Sequence, residues 1–231
     1  CRTGNCSRRN PAKARSHRHF GGLGVAKGVF LTFEGIDGSG KSSQAKILAE
    51  ALRELGHTVV LTREPGGSPG AEEIRKLLVE GDPNRWSPET EILLFYAARR
   101  DHVERTILPA LERGDIVISD RFADSTRVYQ GAVRSDLRET VDAIHDRMIG
   151  FEPDRTFVID MDPDAALARG LARNSGEDRF EDFGLDFQHR LRTGFKGLAK
   201  SEPSRCFLVN GNRPIDDIWP EILKLSLEIV E

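Results

Sequence analysis

Only three cysteines occur in the 231 residues, Cys1, Cys6 and Cys206, and the body of the chain holds just the last of them. A disulfide framework or a cysteine zinc cluster is therefore excluded there, and a reducing, cytoplasmic setting is the expectation. Long apolar runs are missing too. The longest, Ile92 to Ala98, falls far short of the ~20 residues a membrane-spanning helix needs, so no membrane partner is expected. Acidic residues are absent from 1–27, which carry Arg2, Arg8, Arg9, Lys13, Arg15, Arg18 and Lys27. The formal charge of −3 thus hides a strongly basic start and a remainder with 27 basic against 37 acidic groups. Residues 1–27 also lack any apolar period, and they are expected to be disordered in isolation, as a solvated tail or a start-site artefact. Nucleic-acid binding through that arm is not required by anything in the body. The body has no internal repeat and no interdomain linker, and 28–231 is expected to form one globular domain.

What is there, from Val29 onward, is an alternation. Five short, nearly continuous apolar runs read as buried strands: Val29–Glu34, Thr58–Thr62, Ile116–Asp120, Thr156–Asp160 and Cys206–Val209. Between them, helical spacing is expected after Lys41 as far as Gly56, and over Ala71–Glu80, Glu89–Arg113, Leu137–Ile149, Asp164–Arg173, Asp186–Lys200 and Ile215–Ile229. Pro109 is expected to break or kink the long one. Strands alternating with helices predict an α/β fold, a doubly wound parallel sheet with ligands beyond the carboxyl ends of its strands.

After the first strand comes Gly35-Ile36-Asp37-Gly38-Ser39-Gly40-Lys41-Ser42, a full GxxxxGK[ST] match followed by Ser43, in the strand–loop–helix setting the motif requires. Glycines let the backbone aim its N–H groups at phosphate oxygens, Lys41 reaches the outer phosphates, and the Ser42 hydroxyl suits Mg²⁺. This predicts a nucleoside triphosphate site on a P-loop NTPase fold. A GTPase is disfavoured, because no DxxG follows a later strand and no Asn precedes a Lys.

Four further clusters fall where that fold puts a pocket. Arg63-Glu64-Pro65-Gly66-Gly67 turns at the end of the second strand. Phe95 and Arg99 share a helix face, so one could stack on a base while the other donates to it, although burial in the core is the expectation for Phe95 alone. Asp120-Arg121 follows the third strand, where the carboxylate suits magnesium or its water shell and the guanidinium suits a phosphate. Arg169, Arg173, Glu177, Asp178 and Arg179 lie in a Gly/Ser/Asn-containing break between two helices, which reads equally as a mobile lid that delivers positive charge or as a solvated charged loop.

The strings FEGIDGSGKSSQ (33–44), REPGG (63–67), FYAARR (95–100), DRFADSTRVYQG (120–131) and DRFE (178–181) together resemble the bacterial thymidylate kinases, over essentially Val29 to Glu231. That resemblance implies a nucleoside monophosphate kinase fold: a five-stranded parallel sheet flanked by helices on both faces, with a helical lid at about 173–183, in a homodimer. It implies ATP as donor with Mg²⁺, held at Ser42 and Asp120, and dTMP as acceptor. Phe95 looks like the ring that stacks on thymine, Arg99 the donor to a thymine carbonyl, and Thr126 a partner of the base edge. Tyr129 and Gln130 would lie near the sugar, Arg63 and Arg121 on the acceptor phosphate with Glu64 beside them, and Asp37 near the sugar hydroxyl or the metal shell. With Gly38 at the loop position where other members carry an arginine, Arg173 and Arg179 in the lid resemble the catalytic arginines. A phosphate acceptor, whose second pKa is ~6, needs no general base. The open alternatives are another P-loop kinase, for a nucleoside or a different monophosphate, and a nucleotide-dependent regulatory or nucleic-acid-binding protein.

Overall fold

The computed structural model describes residues 28–82, 85–134, 137–171 and 184–230. The basic segment 1–27 and the positions Arg173 and Arg179 lie outside the described residues.

Strands β1 (Val29–Glu34), β2 (Val59–Arg63), β3 (Ile116–Asp120), β4 (Arg155–Asp160) and β5 (Cys206–Asn210) form one parallel sheet in the order β2-β3-β1-β4-β5. The chain crosses from β1 to β2 at one side and from β3 to β4 over the other, so β1 lies at the point where the winding reverses. Ligand crevices in open α/β sheets occur beyond the carboxyl end of such a strand.

Period-2 alternation divides the core between the two faces of the sheet, with one cluster on one face and two on the other. Leu31, Phe33, Ile116, Ile118, Phe157 and Ile159 face α1 (Lys41–Glu54) and α9 (Ile215–Val230), meeting Ala45, Leu48, Leu52, Ile218 and Ile222. Phe30 and Val117 point the other way, toward α3 (Pro88–His102) and α6 (Arg138–Met148), while Val158 packs on α8 (Leu185–Ser201). Each such side chain, fully buried, contributes roughly 1.5–3 kcal/mol.

Of the two outcomes expected at Pro109, a break or a kink, the break does not occur, although the α-helical pattern is interrupted just before it. After α3 the backbone widens into a π-helical turn at Val103–Ile107 and resumes as α4 (Leu108–Glu112), where Pro109 falls in the first turn and its missing N–H is tolerated. A helix that the sequence pattern does not predict, α5 (Ala123–Val128), follows β3 and widens into a second π-helical turn, Tyr129–Arg134. Only six residues long, α5 cannot hold itself. The buried Arg127 guanidinium ties it down, donating to Asp124 (2.8 Å), Asp142 (2.9 Å) and Glu152 (2.9 Å), while Arg205 donates to Asp124 (2.6 Å). Each member has more than one opposite charge, so removing one unbalances the buried network and does not leave any single charge alone. The remaining helices are α2 (Pro69–Val79), which begins two residues before the expected Ala71, and α7 (Pro163–Leu171).

Candidate active site

The loop Gly35–Gly40 leaves β1 and enters α1 without a side-chain cap and without an acidic residue in the first helical turn. Helix α1 therefore starts with uncapped N–H groups and an uncancelled dipole, which is an anion site. Two glycines are required by geometry. Gly40 has φ +96°, and at Gly38 (φ +76°) a Cβ would lie 2.0 Å from the Ala166 carbonyl oxygen of α7. The Lys41 ammonium, buried beneath the loop, donates to the Ile36 carbonyl at 2.7 Å. Burial, and then repulsion by Arg121, lowers its pKa to about 8. Ser39 is buried, Ser43 half-buried and Ser42 exposed.

Arg121, at the end of β3, is the only non-glycine of positive φ (70°) among the described residues, a conformation that functional sites tend to store. Its N–H donates to Phe33 O (2.9 Å), and Ser119 Oγ donates to its carbonyl (2.8 Å). The guanidinium lies over the loop, donating to Gly35 O (3.2 Å), Ser125 Oγ (2.9 Å) and the Asp37 carboxylate. Tyr129 OH also donates to Asp37, at 2.9 Å. Burial alone would raise the Asp37 carboxyl, but Arg121 and Lys41 outweigh it and hold it below the usual range. Next to Arg121, the Ser42 hydroxyl donates to one oxygen of Asp120, and the other oxygen, Oδ1, is buried with no hydrogen-bond partner. A hydroxyl and one carboxylate with an unused oxygen form a hard-oxygen donor pair, which fits Mg²⁺: that ion keeps several waters and takes one or two carboxylates plus phosphates.

A second group lies at the ends of β2 and α3. Arg99, 2% exposed, donates through Nε to Glu64 (2.8 Å) and through Nη2 to Thr126 (3.1 Å), and its Nη1 is buried without a partner. Phe95, one turn earlier on the same face, is half-buried, so the expectation that it is simply core is corrected: an aromatic surface stays available beside Arg99. Gln130 is buried and donates to Glu91 (2.9 Å). Arg63 is paired in register with Asp120 at the sheet edge, yet among the described residues its exposed guanidinium reaches only Glu72 (3.3 Å), so it is not drawn in with Arg121. Helix α5 joins the two groups, with Arg121 before it, Thr126 within it and Tyr129 after it.

Glu34 was missed by motif reading. Its carboxylate, fully buried at the end of β1, accepts from Phe122 N (2.8 Å), Ser125 N (3.1 Å) and Ser125 Oγ (2.6 Å), pinning the turn that carries Arg121. An acid closing an apolar strand directly before a phosphate loop was the available signal. Burial, and then Asp124, raises its pKa to about 7. Because the folded value exceeds the unfolded one, the associated stability is complete below the unfolded pKa and is lost as pH rises through about 7. Glu34→Gln keeps an acceptor without the titration. Relative to that variant, the unaltered chain is expected to lose about 2–3 kcal/mol of unfolding free energy between pH 5 and 8, read by denaturant titration; a pH-independent difference would contradict it.

The family model described as "Thymidylate kinase" matches residues 33–222. A thymidylate kinase of Dinoroseobacter shibae is 66% identical over 196 residues, covering 85% of this chain and 95% of that protein. One from Ruegeria pomeroyi is 62% identical over 200 residues, covering 87% and 95%. The crystal structure of thymidylate kinase from Ehrlichia chaffeensis superposes with a TM-score of 0.71 at 37% identity, covering 87% of this chain and 99% of that one.

Proposed function

As this chain belongs to the thymidylate kinase family, we propose that the residues gathered at the head of β1 carry the family's reaction here in the roles that follow. The chain is an ATP-dependent nucleoside monophosphate kinase that phosphorylates dTMP to dTDP, releasing ADP, on the way to dTTP. The convergence of Lys41, Arg121 and the uncapped start of α1 on one loop is the observation that carries the assignment of roles.

The chemical problem is repulsion between two polyanions, and no base is needed for an acceptor already ionised at neutral pH. The loop N–H groups from Gly35 to Ser43 and the Lys41 ammonium hold the donor phosphates. Ser42 and Asp120 are the residues that would hold Mg²⁺, which supplies charge neutralisation on the ATP phosphates when bound. Arg121, oriented by Asp37, Ser125 and the Gly35 carbonyl, meets the acceptor phosphate and stabilises the charge that develops between the two nucleotides. Arg63 reaches the same phosphate from the sheet edge by leaving Glu72. Gly38 cannot give way to a side chain while Ala166 packs against it, which supports placing the remaining positive charge on Arg173 and Arg179 of a lid at about 173–183 within a 28–231 domain.

Phe95 stacks on the thymine ring and Arg99 Nη1 donates to a thymine carbonyl, with Thr126 at the base edge and Glu64 holding Arg99. Tyr129, with Gln130 behind it, closes the sugar side. A homodimer in the cytoplasm, with no nucleic acid required, completes the reading: Leu93 of α3 (62% exposed) and Met148 of α6 (50%) supply apolar surface for a second copy. No described helix is long and apolar enough to cross a membrane. Arg99→Ala is expected to raise the KM for dTMP roughly 10- to 100-fold, the worth of one charged hydrogen bond, with little change in the KM for ATP. An unchanged dTMP KM in steady-state kinetics would overturn the base-reading role.

A further inference from the structure

His102 closes α3 three residues after Arg99, and its ring is completely buried. It bridges two groups at the end of β2: Nδ1 is 3.1 Å from Glu64 Oε1, and Nε2 is 2.7 Å from Thr62 Oγ1. The Glu64 carboxylate only accepts, so Nδ1 carries a hydrogen and donates to it, while Nε2 is paired with the Thr62 hydroxyl. The other Glu64 oxygen accepts from Arg99 Nε at 2.8 Å, so the two contacts together fix the carboxylate plane. Arg99 is fixed in turn by Glu64 and Thr126, which leaves Nη1 as a buried donor without a partner.

Packing also confines the ring. A Cβ at Gly67 would lie 2.4 Å from His102 Nε2 and 2.4 Å from Thr62 Oγ1, so the turn after Pro65 can approach only because that residue is glycine. The Glu64 backbone is separately anchored, its N–H donating to Asp120 O at 2.9 Å. A chain of fixed groups therefore runs from Thr62 through His102 and Glu64 to Arg99, with its one unused donor at the far end.

We propose that His102 is a positioning residue for acceptor recognition: by holding Glu64 through Nδ1, it sets the direction in which Arg99 Nη1 points. The proposal rests on the reading of Arg99 as the donor to the base.

Asparagine and glutamine separate the two ring nitrogens. In His102→Asn the shorter side chain can place an amide donor near the Nδ1 position and keep the Glu64 contact. In His102→Gln the longer one reaches toward the Nε2 position and Thr62 and gives that contact up. His102→Gln and His102→Leu are expected to raise the KM for dTMP about 10-fold, with the KM for ATP and kcat at saturating dTMP little changed. His102→Asn is expected to restore most of the dTMP affinity although it is the smallest of the three. In an Arg99→Ala background, His102→Gln should add nothing further to the dTMP KM, since the two act in one chain. If His102→Leu does not fold, the Asn and Gln variants carry the comparison.

Loss of dTMP affinity that follows side-chain size, with Asn worst, would overturn the proposal, as would full additivity with Arg99→Ala. The two layers fail separately. An unchanged dTMP KM in Arg99→Ala alone overturns the base-reading role, whereas a raised one with His102→Gln unaffected overturns only the part assigned to His102.

Discussion

Lys41→Ala is expected to lower kcat for ADP release by about 10³-fold or more while the protein remains folded. The ammonium lies in the concavity of the loop, where burial already weakens its hold on its proton and brings its pKa to about 8. A charge placed in such a low-dielectric site costs free energy in the free enzyme and recovers it when phosphates arrive. Its loss therefore falls on transition-state binding, where the charge on the phosphoryl oxygens meets no other buried ammonium among the described residues. The fold should survive. Among the described residues the Lys41 side chain makes one hydrogen bond, to Ile36 O, whereas α1 is held by Ala45, Leu48, Ala49 and Leu52 in the core. Thermal unfolding measured beside turnover checks both halves; a kcat within tenfold of the unaltered chain would contradict the role.

Arg121→Ala is expected to cost about 10²- to 10⁴-fold in kcat, and Arg121→Lys is expected to rescue little of it. Arg121 bridges Gly35, Ser125 and Asp37 at once, which a planar fork of donors can do and a single ammonium cannot. Alanine also leaves Asp37 facing the phosphate site with Tyr129 as its remaining donor, so a repulsive carboxylate is uncovered where an anion must bind. The loss should be larger in kcat than in the KM for ATP, because the role proposed for Arg121 lies between the nucleotides and Arg121 is not part of the loop itself. Near-normal turnover in Arg121→Ala, or full rescue by lysine, would contradict this.

How much of this could be read in advance differs from residue to residue. The five strands were legible because parallel strands buried on both faces must be almost continuously apolar. The phosphate loop was legible because its spacing and its strand–helix setting are both stringent. Helix α5 was not, since its six residues, ADSTRV, have no apolar stripe and depend on buried ion pairs of Arg127 with residues far along the chain. Glu34 was invisible for a related reason. Its place in period 2 with Phe30 and Thr32 says which face it takes, but only the tertiary turn at Phe122 and Ser125 shows what it holds. His102 shares α3 with Arg99, yet its role depends on β2 meeting that helix. Phe95 was drawn toward the core by its type, whereas the packing leaves it half-open beside Arg99.

The most direct measurement is the rate of ADP release at saturating ATP, with dTMP, dUMP, dCMP, AMP and GMP offered in turn as acceptors. A pocket built from Phe95, the fixed Arg99 donor and Thr126 predicts the highest kcat/KM for dTMP, with the purine monophosphates near the acceptor-free rate. Preference for AMP or GMP, or ADP release that ignores the acceptor, would contradict it.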